Sequence, residues 1–311
     1  MGKLDGRVVI VTGAARGQGE QEARLFREEG AQVVLADVLD EPGEALARDI
    51  GARYVHLDVG DEEQWRDAVN VVKNAFGRVD GLVNNAGVLR FNSLVDTPLD
   101  EFMQVVRVNQ VGCFLGIKTV APVMEDGGTI VNTASYTGVT GMAAVGSYAA
   151  SKHAVLGLTR VAALELAGRG IRVNALCPGA IDTAMSNPAQ LDPGADVEGM
   201  SRALDQLYRK LVPLGRIAAG GGGAARAVPD VRGLVVHHRA AVRDRRGVAG
   251  GGQCRLTGRQ VLTFLTVRQK VVALSRPNWT WDGEPPWNSG SLYRGTWVSA
   301  PRPIRSPSTR R

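Results

Sequence analysis

The sequence predicts an α/β fold built on a doubly wound parallel sheet, and three observations carry that prediction. Residues 1–180 alternate short β-branched runs with longer amphipathic stretches, a glycine-rich turn follows the first run directly, and an acid closes the second. Strand, helix, strand at this rhythm is the pattern of βαβ units whose crossovers cover both faces of one sheet.

The strands are expected, in order, at "RVVIVTG", "AQVVLADV", "ARYVHLDV", "DGLVNNAG", "GTIVNTAS" and "IRVNALCPG". Each is nearly continuously apolar, as a strand covered on both faces should be. Helices are expected at 20–29, 62–76, 99–124 and 148–167. Beyond the loop "SNPAQLDPGAD", Met200, Ala203, Leu204, Leu207, Tyr208 and Leu211 share one helical face. That segment reads either as a lid, at about 183–215, or as an ordinary core-facing helix.

At 311 residues the chain can bury a sizeable core, and its net charge of +6 is unevenly placed. Residues 218–311 hold 16 Arg or Lys against 4 Asp or Glu, a net of +12, which leaves residues 1–217 at −6. A basic partner is therefore argued from the tail alone. Cys113, Cys177 and Cys254 are an odd set without CxxC spacing, so neither a disulfide framework nor a metal site is expected, and a reducing cytoplasm fits. No apolar run approaches the roughly 20 residues of a membrane span.

Directly after the first strand, "TGAARGQG" runs from Thr12 to Gly19 and opens the first helix. Gly13 permits the sharp turn, Gly17 lets the backbone approach a pyrophosphate, and Gly19 lets the helix pack close to the sheet. Asp37 ends the second strand, 20 residues beyond Gly17. A carboxylate there can accept both ribose hydroxyls of NAD and would repel the 2′-phosphate of NADP; it also reads as a helix N-cap. Arg16, in the turn, is a cation that could meet a 2′-phosphate. The residues after Asp37 are Val38 and Leu39, with no second base, so NAD is favoured.

In "SYAASKHAV", Tyr148 and Lys152 stand four residues apart and share one helical face. A tyrosine titrates near pKa ~10, and a neighbouring ammonium favours its phenolate, so the pair can exchange a proton with an alcohol or carbonyl oxygen. Ser135, thirteen residues upstream at the end of a strand, can hold the same oxygen at the carboxyl edge of the sheet. His153 is adjacent to Lys152 but points elsewhere on a helix, and is expected to be structural.

Together these residues resemble the classical short-chain dehydrogenase/reductase family. The matching stretches are "TGAARGQG", Asp37, "LDV" at 57–59, "NNAG" at 84–87, Asn109 in "RVNQVG", Ser135, "YAASK" and "PG" at 178–179. They cover residues 7 to about 217, and the body looks most like bacterial NAD-dependent hydroxysteroid dehydrogenases. The resemblance implies a Rossmann-type domain at 1–217 with Tyr148 as general acid/base and Lys152 tuning it while binding the nicotinamide ribose. Ser135 would polarise the substrate oxygen, and Asn109 would hold a water relay behind Lys152. The cofactor would meet Gly13, Arg16, Gly17, Gln18 and Gly19 at its phosphates and Asp58 and Val59 at its adenine. Asn85, Ala86 and Gly87 would pack beside it, and Pro178, Gly179, Ile181 and Thr183 would edge the nicotinamide. Singly, Asn109 also reads as a buried helix-bending amide and Asp58 as a turn former.

The family pattern stops after "PLGRI". Residues 218–311 are an arginine- and glycine-rich tail expected to be disordered, and the final strand, its "TG" and its aspartate with two glycines are missing. Read one base along, with the middle bases free, 220–247 can spell EEVARLALFLTSEDSSYITGQPFVIDGG, a helix, loop and strand of the expected kind. The tail thus reads as off-frame translation after a frameshift near Ala218, against a genuine basic tail that binds nucleic acid or membrane. Loss of that edge element puts the family's homotetramer in doubt. The expected reaction is hydride transfer between NAD and an apolar, cyclic secondary alcohol or ketone, with no membrane or nucleic-acid partner. A cofactor-binding regulatory protein without turnover is the alternative.

Overall fold

The computed structural model describes residues 2–179, 181 and 183–186, with single helical positions at 199, 202 and 206. All of them fall in the first of two units, 1–269 and 270–311. The body of the expected lid, including Met200, Leu204, Leu207 and Tyr208, and the tail at 218–311 lie outside the described residues.

Six strands form one parallel sheet in the order β3-β2-β1-β4-β5-β6: β1 (Val8–Thr12), β2 (Gln32–Asp37), β3 (Arg53–His56), β4 (Gly81–Asn84), β5 (Thr129–Thr133) and β6 (Arg172–Leu176). All six coincide with the expected runs. The helices are α1 (Gly17–Glu28), α2 (Asp40–Ile50), α3 (Glu62–Phe76), α4 (Leu99–Val106), α5 (Gly112–Val120) and α6 (Gly146–Glu165). Helix α2 fills the connection between β2 and β3, as the strand–helix–strand rhythm requires.

Period-two alternation divides the buried residues into two layers. Val9, Val11, Val33, Leu35, Val83 and Val131 pack with Ala23 and Phe26 of α1 and Leu46 of α2. Val8, Ile10, Val34, Leu82 and Ile130 pack with Trp65, Val69 and Val72 of α3 and Leu115 of α5. One expectation is corrected here: β3, which among the described residues pairs with β2 alone, is not covered along its whole length, and its Arg53 and His56 are exposed.

A second correction concerns 99–124, which is not one regular helix. Between α4 and α5 the chain takes a π-turn at Arg107–Val111, and a short 3-10 turn at Ala121–Val123 ends the run. Such single-turn bulges concentrate at functional sites. Two glycines then bring α5 close to the sheet. A Cβ on Gly112 would lie 2.6 Å from Val59 Cγ2, and one on Gly116 would lie 2.3 Å from Asn84 Oδ1.

Candidate active site

The turn between β1 and α1 is held from below. The Thr12 hydroxyl donates to the Val83 carbonyl (3.2 Å) and accepts from the amides of Asn85 (3.0 Å) and Ala86 (3.1 Å). Asn85 Nδ2 in turn donates to the carbonyls of Thr12 and Gly13, both at 3.1 Å. Gly13 (φ +62°) and Gly17 (φ +63°) occupy the left-handed region. A Cβ on Gly19 would lie 2.3 Å from the Gly13 carbonyl oxygen, so the third glycine answers to space, not to conformation. Arg16 is the N-cap of α1, whose first amides have no partner within the helix. Thr12 was legible only as the first letter of the motif; the usable signal was a hydroxyl inside an apolar strand.

Asp37 is buried at the end of β2. Its Oδ2 accepts from the Ala15 amide (2.9 Å) and its Oδ1 from the Leu39 amide (3.1 Å). The cap-like and ribose-binding readings are therefore compatible, since each carboxylate oxygen keeps a lone pair. Asp58 forms a turn, its Oδ1 accepting from the Gly60 amide (2.9 Å), while Oδ2 accepts from Arg107 Nη2 (2.9 Å).

On α6, Lys152 Nζ lies 5.5 Å from the centroid of the Tyr148 ring and donates to the Thr133 carbonyl (2.7 Å). Lys152 is 3% exposed, and that burial pulls its pKa down to about 8. Asn109 sits within the π-turn, buried and off the cleft wall. Its Oδ1 accepts from the Val88 amide (2.8 Å), and its Nδ2 donates to the Val88 carbonyl (2.9 Å) and to Ser151 Oγ (3.0 Å). Ser151 Oγ donates to the Tyr148 carbonyl (2.7 Å), which ties the π-turn to the start of α6. Asn109 is thus a buried amide within the irregular turn, bonded to Val88 and Ser151, with one lone pair of Oδ1 remaining. A Cβ on Gly87 would lie 3.2 Å from Asn109 Oδ1 and 3.5 Å from Lys152 Nζ, which places these two polar groups beneath one glycine.

Ser135 lies just beyond β5. Its Oγ accepts from the Thr137 amide (3.1 Å) and hydroxyl (3.0 Å), leaving the serine proton for an acceptor in the cleft. The Pro178 carbonyl accepts from the Tyr136 amide (2.9 Å), which fixes the "PG" segment beside Ser135. His153, as expected, is turned away: its ring Nδ1 bonds the Ala149 carbonyl at 2.9 Å on an exposed face.

These groups share one cleft of about 770 Å³. Gly13, Arg16, Gly17, Gln18, Asp37, Asp58, Val59, Asn85, Ala86, Gly87, Ser135, Tyr148, Lys152, Pro178, Gly179, Ile181 and Thr183 all line it. Of the expected site residues only Gly19 and Asn109 stand behind the wall. The order follows the sheet: Asp58 after β3, Asp37 at β2, the glycine turn after β1, then "NNAG" at β4, Ser135 after β5 and Pro178 after β6. The cleft therefore crosses the strand-order reversal between β1 and β4, the place where open parallel sheets bind ligands. Arg90 and Arg107 also line it and were not foreseen. Among the described residues no cluster of His, Cys, Asp or Glu suits a metal ion, and no helix is long and apolar enough to cross a membrane.

This fold and this site define a class of protein, and the comparisons agree. The family model for short chain dehydrogenase matches residues 7–194, and the chain belongs to that family of nicotinamide-nucleotide oxidoreductases. It is 45% identical over 190 residues to a 3-alpha-(or 20-beta)-hydroxysteroid dehydrogenase of Mycobacterium tuberculosis, covering 60% of this chain and 73% of that protein. A trans-4-hydroxycyclohexanecarboxylate dehydrogenase of Sinomonas cyclohexanicum is 38% identical, with 68% and 80% covered. A mitochondrial borneol dehydrogenase of Lavandula x intermedia is 43% identical, with 59% and 73% covered. Among solved structures, levodione reductase superposes with a TM-score of 0.66 at 35% identity, covering 74% of this chain and 92% of that one.

The residues fit a dinucleotide. The two left-handed glycines and Gly87 give the cleft a wall of bare backbone, Gly19 lets α1 pack against that turn from behind, and the volume suits a cofactor with a small substrate.

Proposed function

We propose that the protein is an NAD-dependent dehydrogenase that oxidises an apolar, cyclic secondary alcohol, or reduces the corresponding ketone in the reverse direction. The observation that carries this reading is the placement of Asp37 and the Tyr148–Lys152 pair in the two halves of one cleft, either side of the glycine turn. Asp37 would accept the ribose hydroxyls, and its charge disfavours a 2′-phosphate. The cation at Arg16 would lie near the diphosphate, together with the N-terminus of α1. NAD, when bound, supplies the hydride acceptor.

The chain's own residues handle the proton. Ser135 donates a hydrogen bond to the substrate oxygen and keeps its own proton, while Tyr148 takes the alcohol proton as the carbonyl forms. Tyr148 does so as the phenolate, which the neighbouring Lys152 ammonium stabilises before the transfer, and it ends the step as the neutral phenol. Asn109 holds Val88 and, through Ser151, the backbone of Tyr148, so its role here is positioning. Met142 and Val145 ahead of α6, and Met185 beyond β6, contribute apolar wall, and the relatives named for steroid, borneol and cyclohexane substrates support a cyclic alcohol.

The test is absorbance of reduced nicotinamide with NAD and NADP over a panel of steroid, terpenoid and cyclic alcohols. Tyr148→Phe is expected to lower kcat at least about 10³-fold while NADH still binds. Turnover with NADP only would refute the Asp37 argument, and unchanged turnover in Tyr148→Phe the assigned chemistry. We place the protein in the cytoplasm, consistent with its buried, unpaired Cys113 and Cys177. We also propose that residues 218–311 are off-frame translation; the family match ending at 194 is compatible with it, and an intact reading frame around the Ala218 codon would overturn it.

A further inference from the structure

Arg107 lines the cleft, and neither the glycine turn nor the proton-transfer set has a use for it. It opens the π-turn that carries Asn109, and its guanidinium reaches 49 residues back to Asp58 (2.9 Å). Both side chains line the cleft at its β3 end, the end farthest from Ser135 and Pro178 in strand order. The pair is partly exposed, with side chains 51% and 31% accessible, so its worth to global stability is small. Its position is nevertheless closely defined. Gly60, next but one to Asp58, has no side chain exactly where one would collide with Arg107. A Cβ there would lie 2.8 Å from Arg107 Cγ and 2.9 Å from Cζ and Nε.

The rest of that wall is fixed from other directions. The Asp58 amide donates to Gln64 Oε1 (2.7 Å), Trp65 Nε1 donates to the Val59 carbonyl (2.9 Å), and Asp58 Oδ1 accepts from the Gly60 amide. The carboxylate is thus held at Oδ1 from within its own loop and at Oδ2 by Arg107, and the two bonds together set its plane.

We propose that Arg107 is a positioning residue for base recognition: it orients the Asp58 carboxylate so that a remaining lone pair accepts from the exocyclic amine of the cofactor's adenine. This rests on the dinucleotide reading above and adds a residue to it. A carboxylate turned to accept from an amine discriminates against a base that carries a carbonyl at the same place, because two acceptors then face each other.

The experiment compares Kd for NADH and for its deaminated analogue, reduced nicotinamide hypoxanthine dinucleotide, by fluorescence titration on the full chain. The unsubstituted protein is expected to prefer NADH about tenfold. In Arg107→Met the preference should fall to about twofold or less, chiefly through weaker NADH binding, with partial recovery in Arg107→Lys. Gly60→Ala should act the same way, because its new methyl displaces the guanidinium while both charges remain; Gly60 has no left-handed φ that would forbid alanine. A preference that survives in both Arg107→Met and Gly60→Ala overturns the proposal, as does a parallel rise in both Kd values, which a merely structural role would give. NADH binding without any preference in the unsubstituted protein overturns the Arg107 assignment alone. No NADH binding at all overturns the cofactor reading along with it.

Discussion

Glu22 is fully buried on the sheet-facing side of α1, one turn after Gln18, whose Nε2 donates to its Oε1 at 2.8 Å. Its other oxygen, Oε2, has no hydrogen-bond partner among the described residues. Burial pushes the carboxyl up to about 7, against a smaller opposing effect of the Gln18 bond. A folded value above the ordinary 4.5 means that the native state holds a proton which the unfolded chain has released. The stability linked to this group is complete below about pH 4.5 and is lost as pH rises through 7. In urea titrations from pH 5 to 8, Glu22→Gln is expected to abolish a decline of the order of 3 kcal/mol. An unaltered slope would show that the acid is solvated. Nothing in the sequence announced it, because a glutamate four residues from a glutamine in an amphipathic helix reads as a surface pair. Tyr148, Lys152, Ser135 and Asp37 were legible because their spacing and strand-end positions follow from chemistry; Arg107 was not, because its partner is distant in the chain.

At the level of the element, Asp80 is the fastening between β1 and β4. It is buried and accepts from Arg7 Nη1 (2.7 Å), the Val8 amide (2.9 Å) and Arg78 Nη2 (2.6 Å). Burial alone would raise its pKa, but Arg78, the Val8 amide and Arg7 together hold it below the ordinary 3.8. Its contribution is therefore present above pH 3.8 and lost as pH falls through the lower folded value. Asp80→Ala strands the Val8 amide and two guanidinium groups, and is expected to cost about 2–4 kcal/mol at neutral pH by chemical denaturation. Less than 1 kcal/mol would mean that water replaces the carboxylate. The strands themselves were readable because parallel strands between two helix layers must be apolar on both faces. The break in 99–124 was not, since a π-turn needs one extra residue per turn and leaves the apolar pattern of "VVRVNQVGCFLG" almost undisturbed.

At the scale of the molecule, the parallel sheet decides where chemistry can occur, because its strand order opens a crevice between β1 and β4 and each of the six strands delivers one residue group to it. The same layering encloses two thiols. Cys113 and Cys177 lie with Ala134, Val155 and Leu156 between the sheet and α6, close enough to Lys152 for charge to be felt, and burial pushes the Cys113 thiol up to about 12. A thiol so protected is inert toward alkylating reagents until the layer around it parts. Their modification therefore keeps time for the molecule: the rate at which iodoacetamide labels Cys113 and Cys177, followed by mass spectrometry, should equal the rate of opening of the α6 layer and slow when NADH is bound. Rapid labelling that a saturating nucleotide does not slow would show that this layer breathes independently of the cleft it supports.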